Sequence, residues 1–100
     1  MIVNRRTFVA QRGRMQEALA LLKEALAKVG ETMDSPITMR FYSPEFGAFD
    51  VFAVEMEYED WDEYHEALAT WKEMVSEEFW EKWYTLTEGG GANEMWNIFE

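Results

Sequence analysis

One hundred residues make a single domain, 1–100, with enough apolar side chains for one modest core and a formal charge of −11 from 20 acidic and 9 basic residues. That charge repels phosphate backbones and anionic bilayers, so neither nucleic acid nor membrane is an expected partner. The absence of cysteine removes disulfides, thiolate metal sites and cysteine nucleophiles. With no leader-like start and no membrane-length apolar run, the expectation is a soluble, cytoplasmic protein.

Residues 2–10, IVNRRTFVA, are rich in β-branched and aromatic types and predict a strand. Its alternation puts Asn4 and Arg6 with Ile2 and Phe8, and Arg5 with Val3 and Thr7. One arginine therefore faces each side, and the sequence does not say which side the helices cover. In QRGRMQEALALLKEALAKVG the period changes: Met15, Leu19, Leu22, Leu26 and Val29 recur on one helix face. Gly13 marks the start of this helix and Gly30 its left-handed end. ETMDSP is a turn. ITMRFY alternates as a half-buried strand, and SPEFGAFD is a hairpin-length connection. In FDVFAVEMEY, Phe52, Val54, Met56 and Tyr58 point one way, and Phe49, Val51, Ala53, Glu55 and Glu57 the other. Asp60 and Glu63 have capping-box spacing ahead of a helix carrying Trp61, Tyr64, Leu68, Trp71 and Val75. Ser76 caps a second short helix with Phe79, Trp80, Trp83 and Tyr84. EGGGAN reads as a flexible loop and EMWNIFE as a last strand.

The order β-α-β-β-α-(α)-β is the α+β, ferredoxin-like split βαβ pattern. It implies a four-stranded antiparallel sheet in the spatial order 4-1-3-2, with the helices on one face. The strands are apolar on both sides, whereas a sheet with one wet face alternates more cleanly. The expectation is a homodimer in which a second copy covers the open face. A pocket then lies between helix and sheet, or between the two sheets.

Several residues are candidates for chemistry. His65, the single histidine, flanks the apolar stripe of its helix; it is a candidate general acid/base, against the plainer role of a packed or solvent-edge side chain. Arg40 and Tyr42 share a strand face, as do Asn4 and Arg6. A partly buried arginine needs an acid or a ligand anion, and Glu55 or Glu57 on the neighbouring strand is the simplest partner for Arg40. Tyr64, Trp71, Trp80, Trp83 and Tyr84 are core aromatics or the walls of a pocket for a small aromatic or apolar ligand. One histidine, no cysteine and no HExxH leave no zinc set, and the acids at 55–66 match no calcium loop. No metal and no resident cofactor is expected. EGGGAN runs from helix to strand, the reverse of a phosphate loop.

The opening MIVNRRTFVAQRGRM, with Arg6-Thr7-Phe8 followed by Gly13, resembles the dimeric α/β-barrel superfamily, and within it the NIPSNAP-like and antibiotic-biosynthesis-monooxygenase-like proteins. FGAFDVFAVEMEYEDWDEYHEAL is similar to that group's glycine turn, third strand and second helix, and SEEFWEKWYTL to its short following helix. Asn4 departs from the acidic residue many relatives carry there, and Arg5 from an aliphatic one. The resemblance implies a ferredoxin-like homodimer. The superfamily includes cofactor-free oxygenases, isomerases and haem-degrading enzymes, so the fold does not select a reaction. The haem-degrading relatives use an asparagine on the first strand with a tryptophan and a histidine on the second helix. Asn4, Trp61 or Trp71, and His65 supply those types here in a different order. The ligand-binding candidates are thus Asn4, Arg6, Arg40, Tyr42, Trp61 and Trp71, with His65 as the catalytic candidate. A non-catalytic dimerisation module is the competing reading.

Overall fold

The computed structural model describes residues 1–33, 36–45, 47 and 49–99. The turn expected over 31–36, the connection over 43–50 and the last residue of the closing strand fall partly outside them, at 34, 35, 46, 48 and 100. The chain runs β1 (Ile2–Ala10), α1 (Met15–Thr32), β2 (Thr38–Tyr42), β3 (Val51–Tyr58), α2 (Trp61–Met74), α3 (Glu77–Leu86) and β4 (Thr87–Asn97). The strands form one antiparallel sheet in the order β2-β3-β1-β4, as the split βαβ pattern predicts. The three helices cover one face.

Strand alternation decides which residues meet the helices. Phe52, Val54, Met56 and Tyr58 of β3 are buried on that face, and the β1–β3 register places Phe8, Arg6, Asn4 and Ile2 opposite them. Paired residues in a ladder share a face, so β1 turns Asn4 and Arg6 toward the helices and Arg5 away. α1 answers with Ala18, Leu22, Leu26 and Val29, the buried part of its apolar stripe. α2 starts at Asp60, whose carboxylate accepts from the Glu63 backbone N–H at 2.9 Å. The expected box is shifted, because the Glu63 carboxylate accepts from the Glu59 N–H rather than from that of Asp60. Ser76 caps α3, its hydroxyl accepting from the Phe79 N–H at 3.1 Å.

Three expectations are corrected. α1 passes through Gly30 and leaves helical geometry only at Met33, which is extended. Gly30 instead lies over β2, where an added Cβ would touch Met39 Cε at 3.5 Å. Phe49 lies outside β3 and is 81% exposed, with the Arg12 guanidinium 5.5 Å from its ring centre. The glycine run is strand, not loop: β4 begins directly after α3, and its register against β1 shifts between Thr7 and Val9. Gly90 and Gly91 take φ of +111° and +89°, and a Cβ on Gly91 would collide with the Thr7 carbonyl oxygen. The glycines are therefore a bulge in an edge strand.

Candidate ligand cavity

Between the sheet and the helices the side chains leave a cavity of about 120 Å³, open to solvent at one side. Leu22 and Leu26 of α1, Met39 of β2, Val54 and Met56 of β3 and Leu68 of α2 give it an aliphatic lining. One wall is aromatic. Trp71 meets Phe79 edge-on at 5.3 Å between ring centres, Phe79 stacks on Trp83 at 5.6 Å, and Phe8 meets Trp83 edge-on at 5.1 Å. Such contacts hold the rings in fixed orientations, so the wall is rigid. An apolar cavity of about 150 Å³ admits benzene, so this one is on the scale of a single ring, with its mouth free for more.

The polar lining is small and ordered. Asn4, only 1% exposed, donates through Nδ2 to Asn93 Oδ1 at 2.7 Å and to the Glu94 carbonyl at 2.9 Å. Its Oδ1 accepts from Arg6 Nε at 3.1 Å. Asn4 is thus clamped to β4 on one side and holds the Arg6 guanidinium on the other. Among the described residues Arg6 has no acid within salt-bridge distance, and its remaining N–H groups have no protein acceptor. Tyr58, opposite Ile2 in the ladder and four residues along β3 from Arg6's partner Val54, also lines the cavity, its hydroxyl bonded only weakly to Met56 Sδ at 3.6 Å. Burial pushes the Tyr58 phenol up to about 12, with the Arg6 charge pulling the other way.

The candidates separate into three groups. Asn4, Arg6 and Trp71 converge on the cavity. Arg40 and Tyr42 lie on the opposite, helix-free face. There Arg40 pairs with Glu57 at 3.1 Å, the Tyr42 hydroxyl donates to Glu55 at 2.8 Å, and Arg5 pairs with Glu55 at 2.7 Å. Arg5 also stands 5.7 Å over the Tyr42 ring. His65 and Trp61 are exposed on α2, outside the cavity lining, with their rings 6.4 Å apart. Among the other aromatics, Tyr64, Trp80 and Trp83 reach the cavity, while Tyr84 is 71% exposed and stacks on Trp80 from outside. Sequence reasoning missed Tyr58 and Phe8 as cavity residues. The signal was present in phase: both alternate with the buried residues of their strands.

Neighbouring features are less suited to a ligand. A groove on the outside of the helical layer is edged by Glu24, Lys28, Glu78 and Lys82, whose charges already pair with each other. Among the described residues no three His, Asp or Glu side chains converge on a metal-sized space, and no helix is long and apolar enough to cross a membrane.

No protein-family model and no curated protein matches the sequence. Solved structures do match in three dimensions. A NIPSNAP family protein of Agrobacterium tumefaciens superimposes with a TM-score of 0.72 at 18% identity, over 99% of this chain and 93% of that one. An uncharacterised NIPSNAP-like domain protein of Burkholderia xenovorans gives 0.73 at 13% identity, over 98% and 84%. A second uncharacterised NIPSNAP domain protein of the same organism gives 0.67 at 14%, over 99% and 95%. At these identities the likeness is one of fold, and in fold this chain is NIPSNAP-like.

Proposed function

We propose that the protein binds a small aromatic or apolar molecule in the helix–sheet cavity. The observation that carries this reading is an apolar, aromatic-walled space floored by an oriented polar pair, Arg6 held by Asn4. Cores close-pack, so a space of this size with one ordered polar end is what a ligand site requires. The same lining favours binding over catalysis. Among the described residues it contains no imidazole and no carboxylate, and a phenol raised to about 12 stays protonated at neutral pH. Oxygenase or isomerase chemistry that begins by removing a proton would need a base from outside this lining.

The five tryptophans supply the test. Trp71, Trp80 and Trp83 line the cavity, whereas Trp61 and Trp96 are 53% and 55% exposed elsewhere. Titration with neutral trans-cinnamamide, followed by the indole N–H resonances in a ¹H–¹⁵N spectrum, is expected to move the first three and leave the other two. Leu68→Trp, which fills the space, is expected to abolish the shifts. Equal movement of all five refutes the cavity reading.

A second reading concerns assembly. We propose that a second copy of the chain covers the helix-free face. Trp96 stands on that face opposite Val3 in the ladder and is more than half exposed. Two ion pairs on that face, Arg5–Glu55 and Arg40–Glu57, are already closed within one chain, whereas Glu94, opposite Arg5 in the ladder, has no cation within salt-bridge distance among the described residues and would lie toward the rim.

A further inference from the structure

We infer that the cavity selects an aromatic monoanion, a carboxylic acid of about one-ring size, whose carboxylate sits on the Arg6 guanidinium. The inference rests on the cavity reading above and names the ligand class for it. Its starting point is a disparity among the arginines. Arg5, Arg14 and Arg40 each have a carboxylate at 3.1 Å or closer, and Arg12 lies over the Phe49 ring. Arg6, half-buried and lining this apolar space, has neither among the described residues. In a chain with 20 acidic residues, no acidic side chain among the described residues lines that space. A cation facing an apolar enclosure loses hydration as the enclosure fills, and a neutral ligand would leave it uncompensated.

Geometry narrows the class. Asn4 takes the Nε–H, which leaves the Nη N–H groups as the donors facing the cavity. A guanidinium fork is matched by the two oxygens of a carboxylate. The Tyr58 hydroxyl adds a donor, having no stronger acceptor than a thioether. Arg6 is the one cation among the described lining residues, which suits a single negative charge better than a dianion. The Trp71–Phe79–Trp83 wall suits an aromatic remainder of the ligand, and the 120 Å³ volume keeps it small.

Four probes test this by calorimetry and by the indole resonances: trans-cinnamate, the neutral isostere trans-cinnamamide, benzoate and phenyl phosphate. Wild-type protein is expected to bind cinnamate on the order of tenfold to a hundredfold tighter than cinnamamide, the range of a hydrogen-bonded charge. Arg6→Gln is expected to remove that preference while cinnamamide still moves Trp71, Trp80 and Trp83. Arg6→Lys, which keeps the charge but not the fork, is expected to fall between. Equal affinities for acid and amide, or a preference that survives Arg6→Gln, overturn acid selection and leave the cavity reading standing. Phenyl phosphate binding tighter than benzoate overturns the monoanion. Binding by none of the four overturns both readings. Should Arg6→Gln fail to fold, the wild-type cinnamate–cinnamamide pair and Arg6→Lys decide the matter alone.

Discussion

At the scale of single residues, the two arginines of the RR pair behave differently because a strand sends neighbours to opposite faces. Arg5 meets Glu55 and Tyr42 on the open face, and Arg6 meets Asn4 under the helices. The open-face cluster makes a pH prediction. The Glu55 carboxyl is held below its ordinary range, first by the Tyr42 hydroxyl that donates to it and then by Arg5. A lowered folded value means that stability from this group is present above the ordinary carboxylate pKa, about 4.3, and is lost as pH falls through the lower folded value. Urea denaturation is therefore expected to find Glu55→Gln less stable than wild type at pH 6–7, with the gap closing below about pH 4. A gap that widened in acid would show that Glu55 gains nothing from its partners. The Arg40–Glu57 pair was readable in the sequence, since cross-strand partners follow from two alternations. That Asn4 and Arg6 share a face was readable too, but that this face lies under the helices was not, because both faces of β1 carry apolar residues and one arginine each. Only the register against β3, set by the closure of the whole sheet, resolves the phase.

Elements that announce themselves by period or cap were legible: the α1 stripe, the Asp60 and Ser76 caps, and the alternation of β3. What misled was glycine, which marks a loop, a helix end or a bulge with the same letter. Gly30 is tolerated within α1 beside Met39, and packing overrides its breaker tendency. Gly89, Gly90 and Gly91 serve the β4 bulge, and the three are not equivalent. Gly91 combines a positive φ with a collision course to the Thr7 carbonyl, whereas a Cβ on Gly89 would meet nothing within 4 Å. Gly91→Ala is expected to cost roughly 2–4 kcal/mol, through strain and the broken β1–β4 register. Gly89→Ala is expected to be neutral or stabilising by a few tenths of a kcal/mol. Chemical denaturation of the two variants checks this, and equal effects would restore the loop reading. The bulge also matters to the cavity, because β4 supplies Asn93 and the Glu94 carbonyl that hold Asn4. Gly91→Ala should therefore weaken cinnamate binding as well as stability.

At the scale of the whole molecule, the chain is a slab of 36 × 33 × 18 Å, one sheet and one helical layer thick. Its accessible surface is 6756 Å², roughly 850 Å² above the about 5900 Å² typical of a folded monomer of this mass. That excess is close to the roughly 800 Å² each partner contributes to a standard interface. The helices dispose of one sheet face, and the other still shows Trp96 beside Val3. An exposed tryptophan beside the closed pairs Arg5–Glu55 and Arg40–Glu57 is the composition of an interface core with a polar rim. Because the same patch would meet itself across a two-fold axis, one substitution acts twice per dimer. Light scattering is expected to give twice the 11.8 kDa of one chain for wild type. Trp96→Glu, which sets two carboxylates and no tryptophan at the centre, is expected to give one chain's mass with the sheet intact by circular dichroism. A wild-type monomer would remove the second copy. A dimer that survives Trp96→Glu would move the interface to another surface. The cavity lies on the helix side of the sheet, so the acid-binding experiment is expected to read the same in the monomeric variant as in the dimer.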